Sequence, residues 1–532
     1  MIGLQRNLPP AAAPLAVIFA FLIAVGHAAP ATPTAPPAGA AATRMTVTNA
    51  VATQTEVPDR LEILDGQLFG PTIRGGLSND PCYPAGPVTW LQDAGNTRIG
   101  ALADGLSVLV IRLISPPSPA QSAYTPLTEP FPVTFTISDA AGDGAAVIGS
   151  ISSTLPSLPA PMEGAASPPG QQPSLTVTIP AGQPVCIFYC PPEQWQFFAA
   201  NESSDLSLAS LQNAQIAIQA SSASGPLATA PLDVVRPQIL LVHGICSGPG
   251  TWNQLISRFT GAGQNFKTSQ FYAVDYSQTN TSGYDLLGSF VPSVITNLVS
   301  DDRYNLAVAA TRLDVVAHSM GGALTAWYAG DLGNITVTRG DGFPGGSWNS
   351  ADWPYRRAND FGIGDIRRFV SLGSPFDGSP WASLVCNDFT AGQISYIIQL
   401  NISTASGNGE AVWDLQTNSS ATGFLERSEP QIEWCPIAGI AGSNALGSPW
   451  SALYSIFNIT TGGVGLTGTN SDLVVATASA KNAAGTPGNS QDTEIGNLVH
   501  TAETNNTQVF DDVAKALDFT ADGGKIMFNG QF

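Results

Sequence analysis

Leu313-Asp-Val-Val-Ala-His-Ser-Met-Gly-Gly322 is the most informative segment of this sequence for the fold. Its first five residues are apolar apart from one aspartate, which is typical of a buried strand, and an apolar, helix-forming run begins after Ser319. A strand that passes directly into a helix holds the residue between them in a very tight turn, where only small neighbours such as Gly321 fit. We therefore predict a strand–turn–helix unit with Ser319 at its turn.

The same pattern extends to both sides of this unit, so we predict an α/β domain over residues 233–532. Short apolar runs alternate with longer amphipathic stretches, which indicates a mostly parallel sheet flanked by helices. The predicted strands cover residues 238–242, 271–275, 313–317 and 368–372. The predicted helices cover residues 252–259, 285–299 and 320–329.

The chain before this domain has a different pattern. Residues 1–29 read as a cleaved signal peptide, because Arg6 precedes a short apolar run and small residues follow it. The Pro/Ala/Thr-rich residues 30–44 predict a flexible linker. Residues 45–232 contain short alternating strands, and Ala103-Asp-Gly-Leu-Ser-Val-Leu-Val110 resembles the opening strand of bacterial immunoglobulin-like repeats. We expect an all-β, immunoglobulin-like sandwich here.

Composition limits the partners of this chain of 532 residues. Its formal net charge of −20, with 11% charged residues, argues against nucleic acid, which needs a basic surface. No stretch after the signal is long enough for stable membrane insertion. We expect a secreted (extracellular or periplasmic) monomer.

Six cysteines in an exported chain predict disulfides. The preferred pair is Cys386 with Cys435, which brackets an insertion at about residues 380–433. The other pairings stay open. No cysteine or histidine group has the spacing of a zinc site, so no metal is expected.

A second motif, Leu241-Val-His-Gly-Ile245, ends a predicted strand. A sharp turn at Gly244 would point the backbone N–H of Ile245 toward Ser319. Together with the N–H of Met320, it would bind a negatively charged oxygen. His243 is expected to orient this loop.

These two motifs together resemble the class 2 bacterial lipases, including small Bacillus-type enzymes with alanine in the serine turn. Val370-Ser-Leu-Gly-Ser-Pro-Phe-Asp-Gly-Ser379 is similar to a segment of larger lipases and of GPI inositol-deacylase-like hydrolases. The resemblance runs from Gln238 to the C-terminus. It implies an α/β-hydrolase fold, hydrolysis of a lipid or other ester substrate, possibly at an interface, and no cofactor.

The base partner of Ser319 follows by elimination among four histidines. His27 leaves with the signal, His243 ends a strand, and His318 adjoins Ser319 too closely to turn back onto it. His500 remains, and it follows the serine and the acid in the chain order of α/β hydrolases. Asn470-Ser-Asp-Leu-Val-Val-Ala476 resembles the lipase segment that carries the acid, which favours Asp472, with Asp377 as the alternative.

Two interpretations stay open. The insertion at 380–433 is either a cap over the site, as the resemblance implies, or an extra packed helix. The function is either ester hydrolysis by Ser319, His500 and Asp472 through an acyl-enzyme, or surface binding by an adhesin-type protein with an inactive hydrolase fold. Two features suggest adhesion, namely the N-terminal β domain and Arg339-Gly340-Asp341.

Overall fold

In a computed structural model of the chain, not every residue is described. The predicted signal peptide, the linker and Arg339-Gly340-Asp341 lie outside the described residues. The described residues are 60–66, 97–114, 131–139, 148–153, 173–179, 185–193, 208–209, 211–261, 266–280, 282–330, 334–336, 347–349, 352–357, 363–388, 410–417, 419–425, 432–440, 471–472, 474–481 and 493–517.

Strands form most of the first half of the described chain, and strands alternate with helices in the second. The strands are β1 (Arg60–Asp65), β2 (Gly100–Leu102), β3 (Leu109–Ile114), β4 (Phe131–Asp139), β5 (Ser150–Ser152), β6 (Ser174–Ile179), β7 (Val185–Cys190), β8 (Asn213–Ser222), β9 (Gly225–Val235), β10 (Ile239–Val242), β11 (Phe271–Ala273), β12 (Val308–Ala309), β13 (Leu313–His318), β14 (Asn334–Thr336), β15 (Ser347–Asn349), β16 (Ile366–Leu372), β17 (Glu433–Ile440) and β18 (Thr493–Gly496). The α-helices are α1 (Asn253–Thr260), α2 (Tyr284–Leu287), α3 (Phe290–Tyr304), α4 (Met320–Ala329), α5 (Pro380–Asp388), α6 (Glu410–Asp414), α7 (Ser420–Leu425), α8 (Thr477–Lys481) and α9 (Thr507–Leu517).

The second half contains a parallel sheet covered by helices on both faces. Its strand order is β11-β10-β13-β16-β17-β18, and every neighbouring pair is parallel. Apolar side chains of α3 and α4 pack on one face, and those of α1 and α9 pack on the other. All residues of β13 and β16 are therefore buried, which explains their nearly continuous apolar sequence. This arrangement confirms the predicted α/β architecture.

The register of this sheet brings the carboxyl ends of its central strands together. Val242 at the end of β10 pairs with Ala317 in β13, and Leu372 at the end of β16 pairs with His318. In parallel sheets, residues at this edge line the crevice where ligands bind. Ser319 lies immediately after β13, at this edge.

The first half contains two sheets that share one apolar core. A four-stranded sheet has the order β1-β3-β7-β5, and a six-stranded sheet has the order β12-β2-β9-β8-β4-β6. Side chains of both sheets, including Ile111 and Phe135, belong to one buried cluster. The predicted immunoglobulin-like character of this region stays a prediction.

Several contacts fix these two sheets to the parallel sheet. The short strand β12, which precedes β13 in the chain, pairs with β2 of the six-stranded sheet. The buried guanidinium of Arg367 in β16 pairs with Asp314 in β13. The same guanidinium donates to the carbonyl oxygens of Ala103 at 3.0 Å and Glu193 at 2.7 Å. The sequence pattern gave no sign of β12, because two residues carry no periodicity.

The predicted helix over residues 285–299 is wrong as a single element. It is divided into α2 and α3 at Gly288 and Ser289. Pro292 explains the break, because in a continuous helix its ring would collide with the carbonyl of Gly288 and no N–H would be available there. In α3, Pro292 occupies the first turn, where its missing N–H is not needed.

The preferred disulfide is also wrong. Cys386 packs in the apolar cluster on the α4 face of the parallel sheet, whereas Cys435 packs in the cluster on the α1 and α9 face. Cys435 follows Trp434 in β17, and successive side chains of a strand point to opposite faces. Neither cysteine forms a disulfide.

Candidate active site

The turn after β13 holds Ser319 in a backbone conformation that non-glycine residues rarely adopt. Its φ is 55° and its ψ is −130°. The Ser319 N–H donates to the carbonyl of Leu372 at 2.9 Å, and its own carbonyl accepts from Gly322 at 3.0 Å. Conformations of this kind cost of order 1–3 kcal/mol and concentrate at functional sites. The predicted strand–turn–helix unit is present, with Ser319 at its turn.

Two glycines allow the strand ends to approach this turn. A Cβ on Gly321 would lie 2.5 Å from the carbonyl oxygen of Val242 and 2.6 Å from that of His243. A Cβ on Gly244 would lie 2.7 Å from the Cβ of Ser319. Both contacts are too short for a real side chain, so the loop after β10 can reach the serine only because these residues are glycines.

The three residues singled out by sequence meet in one hydrogen-bonded chain. His500 Nε2 lies 2.9 Å from Ser319 Oγ, and His500 Nδ1 lies 2.7 Å from Asp472 Oδ2. All three side chains are buried, with exposures of 6% for Ser319, 7% for His500 and 1% for Asp472. The arrangement can move a proton from the serine hydroxyl to the imidazole while the carboxylate holds the other ring nitrogen.

The backbone around Asp472 fixes the orientation of its carboxylate. Asp472 Oδ1 accepts from the N–H groups of Val474 at 2.9 Å and Val475 at 2.7 Å, so Oδ2 faces His500. The N–H of His500 donates to the carbonyl of Asp472 at 3.1 Å. The alternative acid, Asp377, has its own N–H bonded to Ser479 Oγ at 3.0 Å. The structure therefore brings Asp472 to His500.

Met320 and Ile245, whose N–H groups are predicted to bind the oxyanion, each adjoin a residue at the serine turn. Met320 is the first residue of α4, where an N–H has no acceptor within the helix. Ile245 follows Gly244, the residue that packs against Ser319. A helix N-terminus also favours negative charge, so this side of the serine suits an oxyanion.

His243 supports the loop after β10. Its ring stacks on Tyr276 with centroids 4.0 Å apart, and its Nδ1–H donates to the carbonyl of Gly244 at 2.9 Å. Burial lowers the pKa of His243 to about 4. The ring is therefore neutral near pH 7, and the bond to the Gly244 carbonyl requires that Nδ1 carry its one proton.

His318 contacts the segment that carries His500, and the sequence did not predict this contact. Its Nε2–H donates to the carbonyl oxygen of His500 at 3.2 Å, and the two rings lie 4.6 Å apart. Burial and, to a smaller extent, the neighbouring charge of His500 keep the pKa of His318 well below its usual value.

Glu503 is the functional candidate that sequence reasoning missed. Its side chain is 1% exposed, and its Oε2 lies 3.5 Å from His500 Nδ1 and 3.4 Å from His318 Nε2. A signal was available, because Glu503 follows His500 by three residues in a 3-10 helix (His500–Asn505) and therefore returns to the same side.

The side chains of His318, His500 and Glu503 are close enough together to hold a metal ion. Ligand atoms of His318, His500 and Glu503 lie within 4.8 Å of one another. His500 Nδ1 is already bonded to Asp472, and His318 Nε2 faces a carbonyl oxygen. The described contacts therefore fit a hydrogen-bonded acid–base cluster.

Comparison with known proteins agrees with this fold. Residues 239–415 match the model of the alpha/beta hydrolase family. This match includes both the Gly244 loop and the Ser319 turn. No curated protein matches the sequence.

Among solved structures, similar chains include bacterial lipases and an EstA protein. The mature lipase BlEst2 of Bacillus licheniformis is 15% identical, with a TM-score of 0.35, and the alignment covers 53% of this chain and 92% of that one. The lipase of Staphylococcus hyicus is 11% identical, with a TM-score of 0.35 and coverages of 53% and 94%. EstA of Clostridium botulinum is 14% identical, with a TM-score of 0.34 and coverages of 54% and 88%.

The parallel sheet and the family match over residues 239–415 agree on an α/β-hydrolase fold for this part of the chain. The fold predicted from the sequence motifs is therefore confirmed there. Within the described residues, no helix is long and apolar enough to cross a bilayer.

Proposed function

We propose that this protein is a secreted serine hydrolase that cleaves carboxylic esters. The observation that carries the proposal is the continuous chain from Ser319 Oγ through His500 to Asp472 Oδ2, with contacts of 2.9 Å and 2.7 Å. A serine hydroxyl is a weak nucleophile unless an adjacent base accepts its proton. Here the base is in contact, and a carboxylate holds its second nitrogen.

The proposed reaction has two halves. Ser319 Oγ attacks the ester carbonyl carbon while its proton passes to His500 Nε2, and the oxyanion binds the N–H groups of Ile245 and Met320. His500 then gives the proton to the departing alcohol, which leaves an acyl-enzyme on Ser319. Water then attacks this acyl group while His500 takes one of its protons. His500 returns that proton to Ser319 Oγ as the carboxylic acid leaves, which restores the free enzyme. None of these steps uses a cofactor.

The strained turn favours catalysis over the alternative, a surface-binding protein with an inactive hydrolase fold. A binding protein has no need for Ser319 at a φ of 55° or for glycines at positions 244 and 321. Strain of this kind persists where it serves a function.

We propose that the substrate carries an apolar acyl chain, as a lipid does. Partly buried apolar side chains lie along the cluster that contains Met320, including Ile245, Trp381, Trp413 and Phe424. Three of them belong to α5, α6 and α7, within the insertion at 380–433. We propose that this insertion acts as a cap, and that the protein works as a monomer.

The proposed function is tested with p-nitrophenyl esters from acetate to palmitate, with and without an oil–water interface. We expect hydrolysis with a burst of p-nitrophenol, because this activated leaving group lets the acyl-enzyme form faster than water hydrolyses it. Rates rising with chain length indicate an apolar acyl site. The proposal is wrong if the folded protein hydrolyses none of these esters.

A further inference from the structure

The proposed triad leaves one buried carboxyl at the site unexplained. We propose that Glu503 is a positioning residue for His500, offering a second carboxyl to Nδ1 that replaces Asp472 when Asp472 is removed. This inference rests on the proposed function, since it concerns the same base. It rests on the 3.5 Å distance between Glu503 Oε2 and His500 Nδ1, on the space provided for Glu503, and on its charge state.

The fold makes room for this side chain. A Cβ on Gly373 would lie 2.1 Å from Glu503 Oε2, and a Cβ on Gly439 would lie 2.6 Å from Oε1. These glycines follow β16 and lie within β17, the two strands beside the site. Any larger residue at either position would displace Glu503. The position of its carboxyl therefore depends on glycine at both sites.

The hydrogen bonds distinguish the two oxygens of Glu503. Oε1 accepts from the N–H of Gly439 at 2.9 Å, which leaves Oε2 facing the imidazoles of His500 and His318. Oε2 is buried, and neither imidazole contact has the geometry of a hydrogen bond. A small movement of Oε2 would therefore place it within hydrogen-bonding distance of His500 Nδ1 without disturbing the bond to Gly439.

Burial and the adjacent carboxylate explain why Glu503 keeps its proton in the intact protein. The titratable groups facing Glu503 are Asp472, His500 and His318. Burial and the negative charge of Asp472 raise the pKa of Glu503 well above its usual value. Two adjacent buried carboxyls do not both ionise readily, so Glu503 keeps its proton while Asp472 carries the charge. Without the Asp472 charge, the pKa of Glu503 falls, and the imidazolium formed during catalysis favours its ionisation.

The test compares Glu503→Gln in two backgrounds, intact and Asp472→Ala. Glutamine resembles the neutral acid and can still accept from Gly439, but it cannot ionise. In the Asp472→Ala background, we expect Glu503→Gln to lower kcat for a p-nitrophenyl ester by at least about tenfold more than in the intact protein. The exposed Glu494→Gln is the control, with equal small effects in both backgrounds.

The pH profile separates positioning from a purely structural role. The carboxyl of Glu503 assists only when ionised, so the activity of Asp472→Ala should rise with pH as Glu503 loses its proton. The double variant should lack this rise. Thermal unfolding of each variant checks that it is folded, and Asp472→Ser replaces Asp472→Ala if the latter does not fold.

Equal effects of Glu503→Gln in both backgrounds, with no difference in pH profile, would overturn the inference. This failure is distinct from failure of the proposed function. Labelling of wild-type Ser319 by a fluorophosphonate reports an activated serine for any substrate. If labelling occurs but the two backgrounds respond equally, only the role of Glu503 is refuted.

Discussion

Replacing Ser319 with alanine is expected to lower kcat for p-nitrophenyl esters by about a millionfold. The hydroxyl that contacts His500 Nε2 at 2.9 Å is the only proposed nucleophile. Its loss removes the acyl-enzyme route and leaves only the stabilisation that the Ile245 and Met320 amides give to a direct attack by water. The burst of p-nitrophenol should disappear, and stopped-flow measurement of the first turnover checks this.

The matched control for this variant is Ser257→Ala, at an exposed position of α1. It should hydrolyse the same esters at the wild-type rate. Residual activity of Ser319→Ala above about 1% of wild type, in protein free of contaminating esterase, would show that the nucleophile lies elsewhere. A millionfold loss is too large to arise from a change in substrate affinity alone.

Replacing Asp472 with asparagine is expected to lower kcat by about ten-thousandfold. The N–H groups of Val474 and Val475 both point at the position of Oδ1. They can bond only to an oxygen, so the asparagine amide group must face His500 Nδ1. An N–H donor at this place forces the imidazole into the tautomer whose Nε2 carries the proton, and this tautomer cannot accept the Ser319 proton.

Asp377→Asn is the control for this variant, because Asp377 is the alternative acid from the sequence. It should keep most of the wild-type kcat. A large loss in Asp377→Asn combined with near-normal activity in Asp472→Asn would reverse the assignment of the acid. The role proposed for Glu503 adds that Asp472→Ala keeps more activity than Asp472→Asn, because alanine imposes no tautomer on His500.

Local sequence patterns predicted the centre of the fold well. The helix after Ser319 was predicted at the residues where α4 begins and ends, and β10, β13 and β16 lie where apolar runs indicate buried strands. These elements follow from neighbouring residues alone. His500 could also be identified, because few histidines were available and chain order excluded the others.

Contacts between residues far apart in the sequence could not be predicted from local patterns. The pairing of β12 with β2 joins residues about two hundred positions apart, and no periodicity marks it. The opposite faces of Cys386 and Cys435 depend on which side chain of β17 points to which helix layer. The burial of Glu503 depends on space left by Gly373 and Gly439. Pro292, which divides α2 from α3, is a helix-breaking signal that the apolar periodicity of residues 285–299 masks.

The most direct test of the central claim is to treat the folded protein with a fluorophosphonate and map the adduct by mass spectrometry of its peptides. An activated serine attacks this reagent whatever the natural substrate is. We expect one adduct per chain, on the peptide that contains Ser319, and we expect it to be lost when His500 is replaced with alanine. An adduct on another residue, or none on the folded wild-type protein, would show that Ser319 is not an activated nucleophile.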